Sequence, residues 1–378
     1  MKLTPIKKLL FILLIFNIFT QSLISQKENS LVVISPEKPL HGILKLKLKK
    51  DLVIGNEFSE HYIFGSINGI EIYDKYIYVL DGKMVRIQMY DLKGNYIKTI
   101  GRKGNGPGEF LLPNAFCLSK NGNIYVWDLM RRRMVVFDKE GNYKKDIILE
   151  KTSAGKFYVD ENEFIYMRIL ELEAGSDMYT YFAKINSKGK LEKIFKKQFY
   201  LSLITTEKMR FFYEHPYLAN LYFAVLPNGN FVLMNSLNYK LTLLSPEGKI
   251  LLRIRKKEKS EKVTQKEKEI IFSTKFKKFP KHLKKYVIFS KFRPYCSNLL
   301  TDEKGRIYVE RFKPVTEKSK VYTYDIFNKK GEYLCKLKLD FQINLIKKGF
   351  IYTTFINEET EEIKIFRYKI ENWKEIKS

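Results

Sequence analysis

The feature that most constrains the fold is a 24-residue segment that occurs twice in succession. The first copy, IYVLDGKMVRIQMYDLKGNYIKTI, begins at Ile77, and the second, IYVWDLMRRRMVVFDKEGNYKKDI, begins at Ile124. Both the opening residues and the turn glycines, Gly94 and Gly141, are separated by 47 residues. A repeat period of about 40 to 50 residues indicates that one structural unit has been copied, each copy burying its apolar faces against its neighbours.

Each copy alternates apolar strand segments with Asn-Gly, Lys-Gly or Glu-Gly turns, which is the sequence signal of β-hairpins. Four short strands per unit are typical of a β-propeller blade. The same pattern recurs in a weaker form along the chain, so we predict an all-β, six-bladed β-propeller with four-stranded antiparallel blades. The predicted blades cover residues 67–100, 115–149, 156–196, 221–255, 297–339 and 343–370.

The sixth predicted blade ends before it has a fourth strand. Upstream of the first blade, the segment ILKLKLKKDLVIG at 43–55 alternates like a strand and has no blade of its own. Because a closed ring leaves no free sheet edge between its first and last blades, we expect this N-terminal strand to complete blade six.

The N-terminal residues are typical of an export signal. Lys2, Lys7 and Lys8 precede an apolar run from Leu9 to Phe19, which is too short for a clear membrane span. We therefore predict a signal peptide at 1–25 and a single propeller domain at 26–378. The predicted location is periplasmic or extracellular, with membrane association through an uncleaved signal segment as the alternative.

The formal net charge of +27 comes from 69 Lys and Arg residues against 42 Asp and Glu residues. Only 13 of the basic residues are arginine, and the abundance of Lys, Ile, Phe, Tyr and Asn is typical of AT-rich coding sequence. An anionic surface is the partner that such a charge favours. Nucleic acid is a poor candidate, because the chain is predicted to be exported and has few arginines for bidentate phosphate recognition.

Cysteines and histidines do not form a recognisable ligand pattern. Cys117, Cys296 and Cys335 lack paired spacing, which disfavours a disulfide framework or a cysteine-based metal site. The four histidines occupy non-equivalent positions in the repeat, so a zinc site is not expected. We predict no cofactor and no catalytic residue. A calcium site formed by Asp and Asn side chains near the inner strand ends is the alternative.

The largest insertion, at 256–291, separates blades four and five and carries 13 Lys against four Glu. Its TQKE sequence at 264–267 is a candidate capping box, followed by aromatic residues at helical spacing. The insertion is therefore predicted to be helical. It is either a lid that packs its aromatic face on the ring or an amphipathic helix that docks on an anionic membrane. Its candidate partner surface comprises Phe272, Phe276, Lys277, Lys278, Lys284 and Lys285.

The segment GRKGNGPGEF at 101–110 connects the first two blades. Its glycines permit backbone angles that other residues avoid, and proline fixes its own. No Lys-Ser or Lys-Thr pair and no helix pattern follows it, so a phosphate-binding loop is disfavoured. We interpret it as a shaped crossover between blades, formed by Gly101, Arg102, Gly104, Gly106, Pro107, Gly108, Glu109 and Phe110.

Together with FGSINGIEI at 64–72, the first blade and this connector resemble an exported bacterial six-bladed β-propeller family related to NHL repeats. The resemblance is good over about residues 44–149 and is limited to the strand pattern beyond. It implies a six-bladed ring behind a signal peptide and transfers no catalytic site. The typical repeat has an Asp after the second strand and an Arg at the start of the third, here Asp81 with Arg86 and Asp128 with Arg133 or Arg132. We expect structural ion pairs or turn hydrogen bonds from them.

Two functions from different classes fit these observations. The first is a monomeric, non-enzymatic binding or scaffold propeller that holds a protein, peptide or glycan ligand on one face, as its 15% aromatic content favours. The alternative is a hydrolase or lyase with a metal ion in the central channel.

Overall fold

A computed structural model of the chain describes residues 31–55, 59–151, 153–173, 177–202, 204–205, 210–211 and 215–376. Six four-stranded antiparallel blades follow one another along the chain, and within each blade consecutive strands are hydrogen-bonded neighbours. The predicted six-bladed propeller is therefore confirmed. The predicted signal peptide at 1–25 lies outside the described residues.

The strands of each blade run from the innermost, at the channel, to the outermost, at the rim. Blade 1 comprises Ile67–Tyr73, Tyr76–Asp81, Arg86–Asp91 and Tyr96–Ile100, and blade 2 comprises Pro113–Leu118, Ile124–Asp128, Arg133–Phe137 and Tyr143–Ile148. Blade 3 comprises Ser153–Val159, Ile165–Leu172, Asp177–Ile185 and Leu191–Ser202, and blade 4 comprises Leu221–Val225, Phe231–Asn235, Lys240–Leu244 and Ile250–Lys256. Blade 5 comprises Cys296–Thr301, Ile307–Arg311, Tyr322–Phe327 and Tyr333–Leu339, and blade 6 comprises Leu345–Lys347, Phe350–Ile356, Ile363–Ile370 and Leu48–Ile54.

The hydrophobic core is divided among the interfaces between neighbouring blades. Each of the six interfaces contains its own cluster of buried apolar side chains contributed by both blades. Trp127 of blade 2, for example, is fully buried in the cluster shared with blade 3. Because both faces of a blade must be covered, a blade cannot bury its apolar surface alone, and the repeat in the sequence becomes a ring.

The ring is closed as the sequence predicts. Leu48–Ile54 pairs antiparallel with Ile363–Ile370 and supplies the outermost strand of blade 6. The observed closing strand begins at Leu48, later than the predicted start at Ile43. Ile43–Leu44 instead pairs parallel with the outermost strand of blade 5. A strand that the sequence analysis did not identify, Leu31–Ser35, pairs parallel with the outermost strand of blade 4. The N-terminal segment therefore runs along the rim of three consecutive blades.

The repeated Asp and Arg residues hold the connection that enters each inner strand. The Asp81 carboxylate accepts hydrogen bonds from the amides of Gly65 and Ser66 at 2.8 and 2.9 Å. Arg86 donates to the carbonyls of Glu60 and Ile63 at 2.7 and 2.9 Å. Together they satisfy backbone groups that have no strand partner.

Blade 2 repeats this arrangement. Asp128 accepts from the amides of Leu111 and Leu112 at 3.1 and 2.9 Å, and Arg133 donates to the carbonyl of Glu109 at 2.8 Å. Arg133 also pairs with Asp146 on the outermost strand. The turn hydrogen bonds expected at these positions are present.

The insertion forms the helix Gln265–Thr274 and a 3₁₀ turn, Lys281–Tyr286, on the face where connections between blades lie. Thr264 caps the helix, since its side chain accepts from the amide of Glu267 while the Glu267 carboxylate accepts from the Thr264 amide at 2.7 Å. A second 3₁₀ turn, Trp373–Glu375, follows blade 6. Within the described ranges, no helix has the length and apolar character needed to cross a membrane.

Ring closure makes a testable prediction about two neighbouring residues of the closing strand. Ile54 is fully buried among side chains of blades 1 and 6, whereas Val53 is 48% exposed. Replacing Ile54 with Ala should lower the free energy of unfolding by about 2–5 kcal/mol, because it leaves a cavity where the ring closes. Val53→Ala should cost less than about 1 kcal/mol. Denaturant unfolding measures both, and equal losses would contradict the role of this strand in closure.

Candidate functional site

The central channel is formed by the innermost strands of all six blades and encloses about 710 Å³. Each innermost strand has one unpaired edge, so backbone amides and carbonyls line the channel along with side chains. In four blades an asparagine near the start of this strand lines the channel, namely Asn68, Asn114, Asn298 and Asn344. The channel is therefore a polar cavity assembled from parts of the chain that are distant in sequence.

Three charged side chains influence one another inside the channel: Glu71 of blade 1, Lys156 of blade 3 and Lys347 of blade 6. Desolvation by the channel walls raises the pKa of Glu71, and the positive charges of Lys347 and Lys156 partly oppose that rise. The same desolvation lowers the pKa of Lys156, with the charge of Glu71 acting in the opposite sense. Removal from bulk water disfavours the charged form of both groups.

These groups keep hydrogen-bonding capacity for a ligand. The Lys347 ammonium donates one hydrogen bond, to the carbonyl of Ile72 at 2.8 Å, and an ammonium has three donors. Among the residues that the structure describes, no hydrogen bond to the Glu71 carboxylate is formed. With all three groups ionised, Glu71, Lys156 and Lys347 together carry one net positive charge, and they carry two when Glu71 binds a proton.

The thiol nearest to this group is not an activated nucleophile. Cys117 of blade 2 lines the channel, and burial raises the pKa of its thiol to about 12. Burial also raises the pKa of Cys335 to about 11, and Cys296 is shifted in the same direction. All three cysteines are free and buried. A reactive cysteine needs a lowered pKa, so these thiols serve as small apolar residues.

The histidines occupy structural positions. His215 is buried, stacks on Phe289, and its Nε2 lies 2.6 Å from the carbonyl oxygen of Ile288. His61 stacks on Tyr96. The side chain of His282 lies outside the described part of the structure. In the described part, no group of three or more His, Cys, Asp or Glu side chains is arranged to hold a metal ion.

The predicted crossover at 101–110 folds back on itself between blades 1 and 2. Arg102–Lys103 pairs parallel with Glu109–Phe110, and Arg102 forms an ion pair with Glu109 at 2.8 Å. Glu109 also accepts from the amide of Gly106 at 2.7 Å. Phe110 is fully buried between the blades, and a side chain on Gly101, which has a φ of 71°, would overlap its ring. The loop's carboxylate and amides are thus engaged within the chain.

The predicted partner surface on the insertion divides into a buried half and an exposed half. Phe276 is buried, and Phe272 packs against Phe289 with ring centroids 5.7 Å apart. Lys284 lies over the Phe272 ring at 5.5 Å, whereas Lys277, Lys278 and Lys285 are exposed. Phe276 is therefore covered within the chain and Phe272 is partly covered, while Lys277 and Lys278 face solvent.

A buried glutamate fastens this insertion to the ring. Glu267 is fully buried and accepts hydrogen bonds from the Tyr217 hydroxyl at 2.8 Å and from Arg293 at 2.9 Å. The Tyr217 hydroxyl also accepts from the amide of Val315 in blade 5 at 3.1 Å. The insertion is thus a fixed cover over blades 4 and 5, as the lid alternative describes.

Comparison with known proteins gives the family. A sequence profile of the family DUF5128, described as a 6-bladed beta-propeller, matches residues 53–334. The chain belongs to this family. No curated protein has a significant sequence match to it.

Two solved structures resemble this DUF5128 propeller. A Bacteroides fragilis protein described as exported has 11% sequence identity and a TM-score of 0.55, covering 90% of this chain and 99% of its own. A DUF4221 family member from Bacteroides vulgatus also has 11% identity and a TM-score of 0.55, with 86% and 98% covered. At this identity the likeness shows the fold alone.

Sequence reasoning did not identify Glu71, Lys156 or Lys347 in this DUF5128 chain. Glu71 and Lys156 are single charged residues among apolar or neutral polar neighbours, and Lys347 is the first residue of a Lys-Lys pair at a turn. Their blade positions are not equivalent, so no repeat marks them. Only ring closure brings blades 1, 3 and 6 around one channel.

The raised pKa of Glu71 makes a prediction about stability. A carboxyl group whose pKa is raised by folding stabilises the folded state below its ordinary pKa of 4.5, and that contribution is lost as the pH rises through the folded-state value. Glu71→Gln should therefore increase the free energy of unfolding near pH 7 relative to wild type, and this gain should vanish near pH 4. Urea unfolding across this pH range measures it.

The matched control is Glu303→Gln, which removes an exposed carboxylate at the channel wall. It should change the free energy of unfolding by no more than about 0.5 kcal/mol at either pH. A loss of stability in Glu71→Gln at pH 7 would contradict desolvation as the main influence on Glu71.

Proposed function

We propose that this protein is an exported, non-enzymatic binding propeller whose central channel takes the carboxylate group of a ligand. The observation that carries the proposal is the presence of Lys156 and Lys347 in one desolvated channel with Glu71. Ammonium groups form charge-assisted hydrogen bonds with carboxylates, and these are stronger where water is excluded.

The geometry of the channel favours binding over covalent chemistry. Its thiol, Cys117, has a raised pKa, and the hydroxyl of Thr301 donates to the carbonyl of Val225 at 2.5 Å. Among the described residues, each of these two groups donates its hydrogen bond to a backbone carbonyl and not to a carboxylate or a nitrogen base, as an activated nucleophile would. The two lysines can instead bind and orient a negatively charged group.

Two ligand sources offer the required carboxylate: a peptide C-terminus and an acidic glycan. Both match the class of partner expected for an exported propeller. The structural neighbour described as exported and the signal-like N-terminus support a periplasmic or extracellular location.

Binding can be tested with matched pairs of probes that differ only in the carboxylate. We expect a tripeptide or a uronic acid disaccharide to bind in calorimetric titration, and the peptide amide or the neutral disaccharide to fail. Lys156→Met and Lys347→Met should each weaken binding roughly tenfold to a hundredfold, because each removes a charge-assisted hydrogen bond. Lys278→Met, an exposed lysine on the insertion, should leave it unchanged.

The two probe pairs distinguish a peptide ligand from a glycan ligand. We expect either the tripeptide or the uronic acid disaccharide to bind tightly, but not both. Equal binding of acid and neutral probes, or unchanged binding in both channel variants, would overturn the proposal.

The pH dependence of binding follows from Glu71. Its ionised carboxylate repels a ligand carboxylate, so affinity should rise as the pH falls through the raised pKa of Glu71 and the group binds a proton. Glu71→Gln should bind more tightly than wild type above that pKa, by roughly tenfold if the repulsion is worth about one pKa unit, and should show a smaller pH dependence, to which Lys156 with its lowered pKa still contributes. Titrations of both proteins at several pH values check this. A weaker Glu71→Gln complex would instead assign the carboxylate a direct contact with the ligand.

A further inference from the structure

The face that carries the insertion also displays apolar side chains on its opposite side, at blades 1 and 2. Met84 and Met130 occupy the turns between the second and third strands of these blades and are 46% and 65% exposed. Ile63 and Leu112 lie in the connections that enter the innermost strands and are 44% and 42% exposed. We call these four residues the apolar tips.

The apolar tips belong to one continuous surface. The amide of Lys83, beside Met84, donates to the hydroxyl of Ser66 at 3.0 Å. The side chain of Asn68, in contact with Ser66, donates to the carbonyl of Pro113, which follows Leu112, at 3.4 Å. The amide of Leu129, beside Met130, donates to the carbonyl of Leu112 at 3.0 Å. Hydrogen bonds therefore link the loops of both blades.

The turns that carry Met84 and Met130 each contain a residue in an energetically unfavourable backbone conformation. Val85 and Arg132, which follow the exposed methionine turns at equivalent positions, have φ values of 58° and 51°. This backbone region is unusual for any residue with a side chain and is especially unfavourable for a β-branched valine. Asp81 nevertheless fixes the first turn by accepting from the amide of Met84 at 3.1 Å. Strain of this kind persists where the surroundings impose it, often at functional sites.

The loops that bear the tips are cationic. Residues 59–66, 82–85, 101–112 and 129–132 contain five basic residues and two acidic ones. Lys83, Lys103 and Arg132 are exposed, and one of the two acids, Glu109, is paired with Arg102. The apolar tips are thus separated by positive charges and do not form a continuous groove.

We infer that this face of blades 1 and 2 is a docking surface for an anionic lipid bilayer. Apolar side chains that project singly can enter the interface of a bilayer, while neighbouring Lys and Arg side chains meet anionic headgroups. The exposed lysines of the insertion, including Lys277 and Lys278, lie on the same face and add to the attraction. In the insertion Phe276 is buried and Phe272 is partly buried, and Ile288 is 47% exposed, so the four apolar tips form the larger set of exposed apolar side chains. This surface is separate from the channel and does not rest on its proposed ligand.

Binding to vesicles tests the inference directly. The full mature chain is mixed with vesicles of phosphatidylcholine and phosphatidylglycerol at 3:1, or of phosphatidylcholine alone, and bound protein is measured by flotation. We expect binding to the anionic vesicles, and a decrease at higher salt because the headgroup contacts are screened. The double variant Met84→Ser, Met130→Ser should bind the anionic vesicles at least about tenfold more weakly, since two apolar side chains no longer enter the interface.

The control double variant is Ile97→Ser, Ile148→Ser, which replaces residues that are 44% and 65% exposed on the outermost strands of the same blades. It should bind like wild type. A second measurement labels Met84→Cys with an environment-sensitive fluorophore, which is selective because the three native cysteines are buried. Its emission should shift to the blue on anionic vesicles.

Three results would overturn the inference: no binding to anionic vesicles, equal losses in the methionine and isoleucine variants, or an unshifted emission in the bound state. A methionine variant that keeps full binding, while a Lys277→Gln, Lys278→Gln variant loses it, would place the membrane contact on the insertion.

Discussion

The structure depends on the packing of blade against blade, since every blade needs a neighbour on both of its faces. The six apolar clusters lie at the six interfaces, and the closing strand Leu48–Ile54 adds Leu52 and Ile54 to the cluster between blades 6 and 1. One strand from the N-terminal end of the propeller thus completes the core of its C-terminal end. The residues that precede this strand lie on the rim of the two neighbouring blades. Leu31–Ser35 pairs parallel with the outermost strand of blade 4, and Ile43–Leu44 pairs parallel with that of blade 5.

Ring closure also creates the candidate site. An innermost strand in isolation presents an open edge, but six such edges facing one another make a channel from which bulk water is partly excluded. In that setting burial shifts the pKa values of Glu71 and Lys156, and the positive charges of Lys347 and Lys156 act on Glu71. The same residues on separate blades would be ordinary solvated charges. The chemistry of the channel is therefore a property of the ring, and a blade by itself carries none of it.

How far the sequence predicts these features depends on whether they repeat. The blade boundaries, the closing strand and the hydrogen-bonding roles of Asp81 and Asp128 follow from a pattern that occurs at least twice, and the structure agrees with them. The capping box at Thr264 and Glu267 is likewise local, because its residues are three positions apart. Glu71, Lys156 and Lys347 do not repeat and are distant in sequence, so no local pattern could identify them. The strand Leu31–Ser35 was missed because it adds to the rim outside the repeat.

The positive charge illustrates why position matters more than amount. A net charge of +27 attracts any anion weakly and, by itself, distinguishes no partner. Many cations of the chain are occupied internally: Arg306 is fully buried and bonded to Asp302, and Lys256 is buried against Asp325. Two other sets of cationic side chains face a possible partner. Lys156 and Lys347 line a narrow channel beside Glu71, where both can reach one small anionic group, whereas Lys83, Lys103 and Arg132 are exposed and surround apolar tips. A pair of lysines in a channel suits a discrete ligand, and an exposed set interspersed with apolar side chains suits an extended anionic surface, so one basic protein can use the same residue type for two separate kinds of recognition.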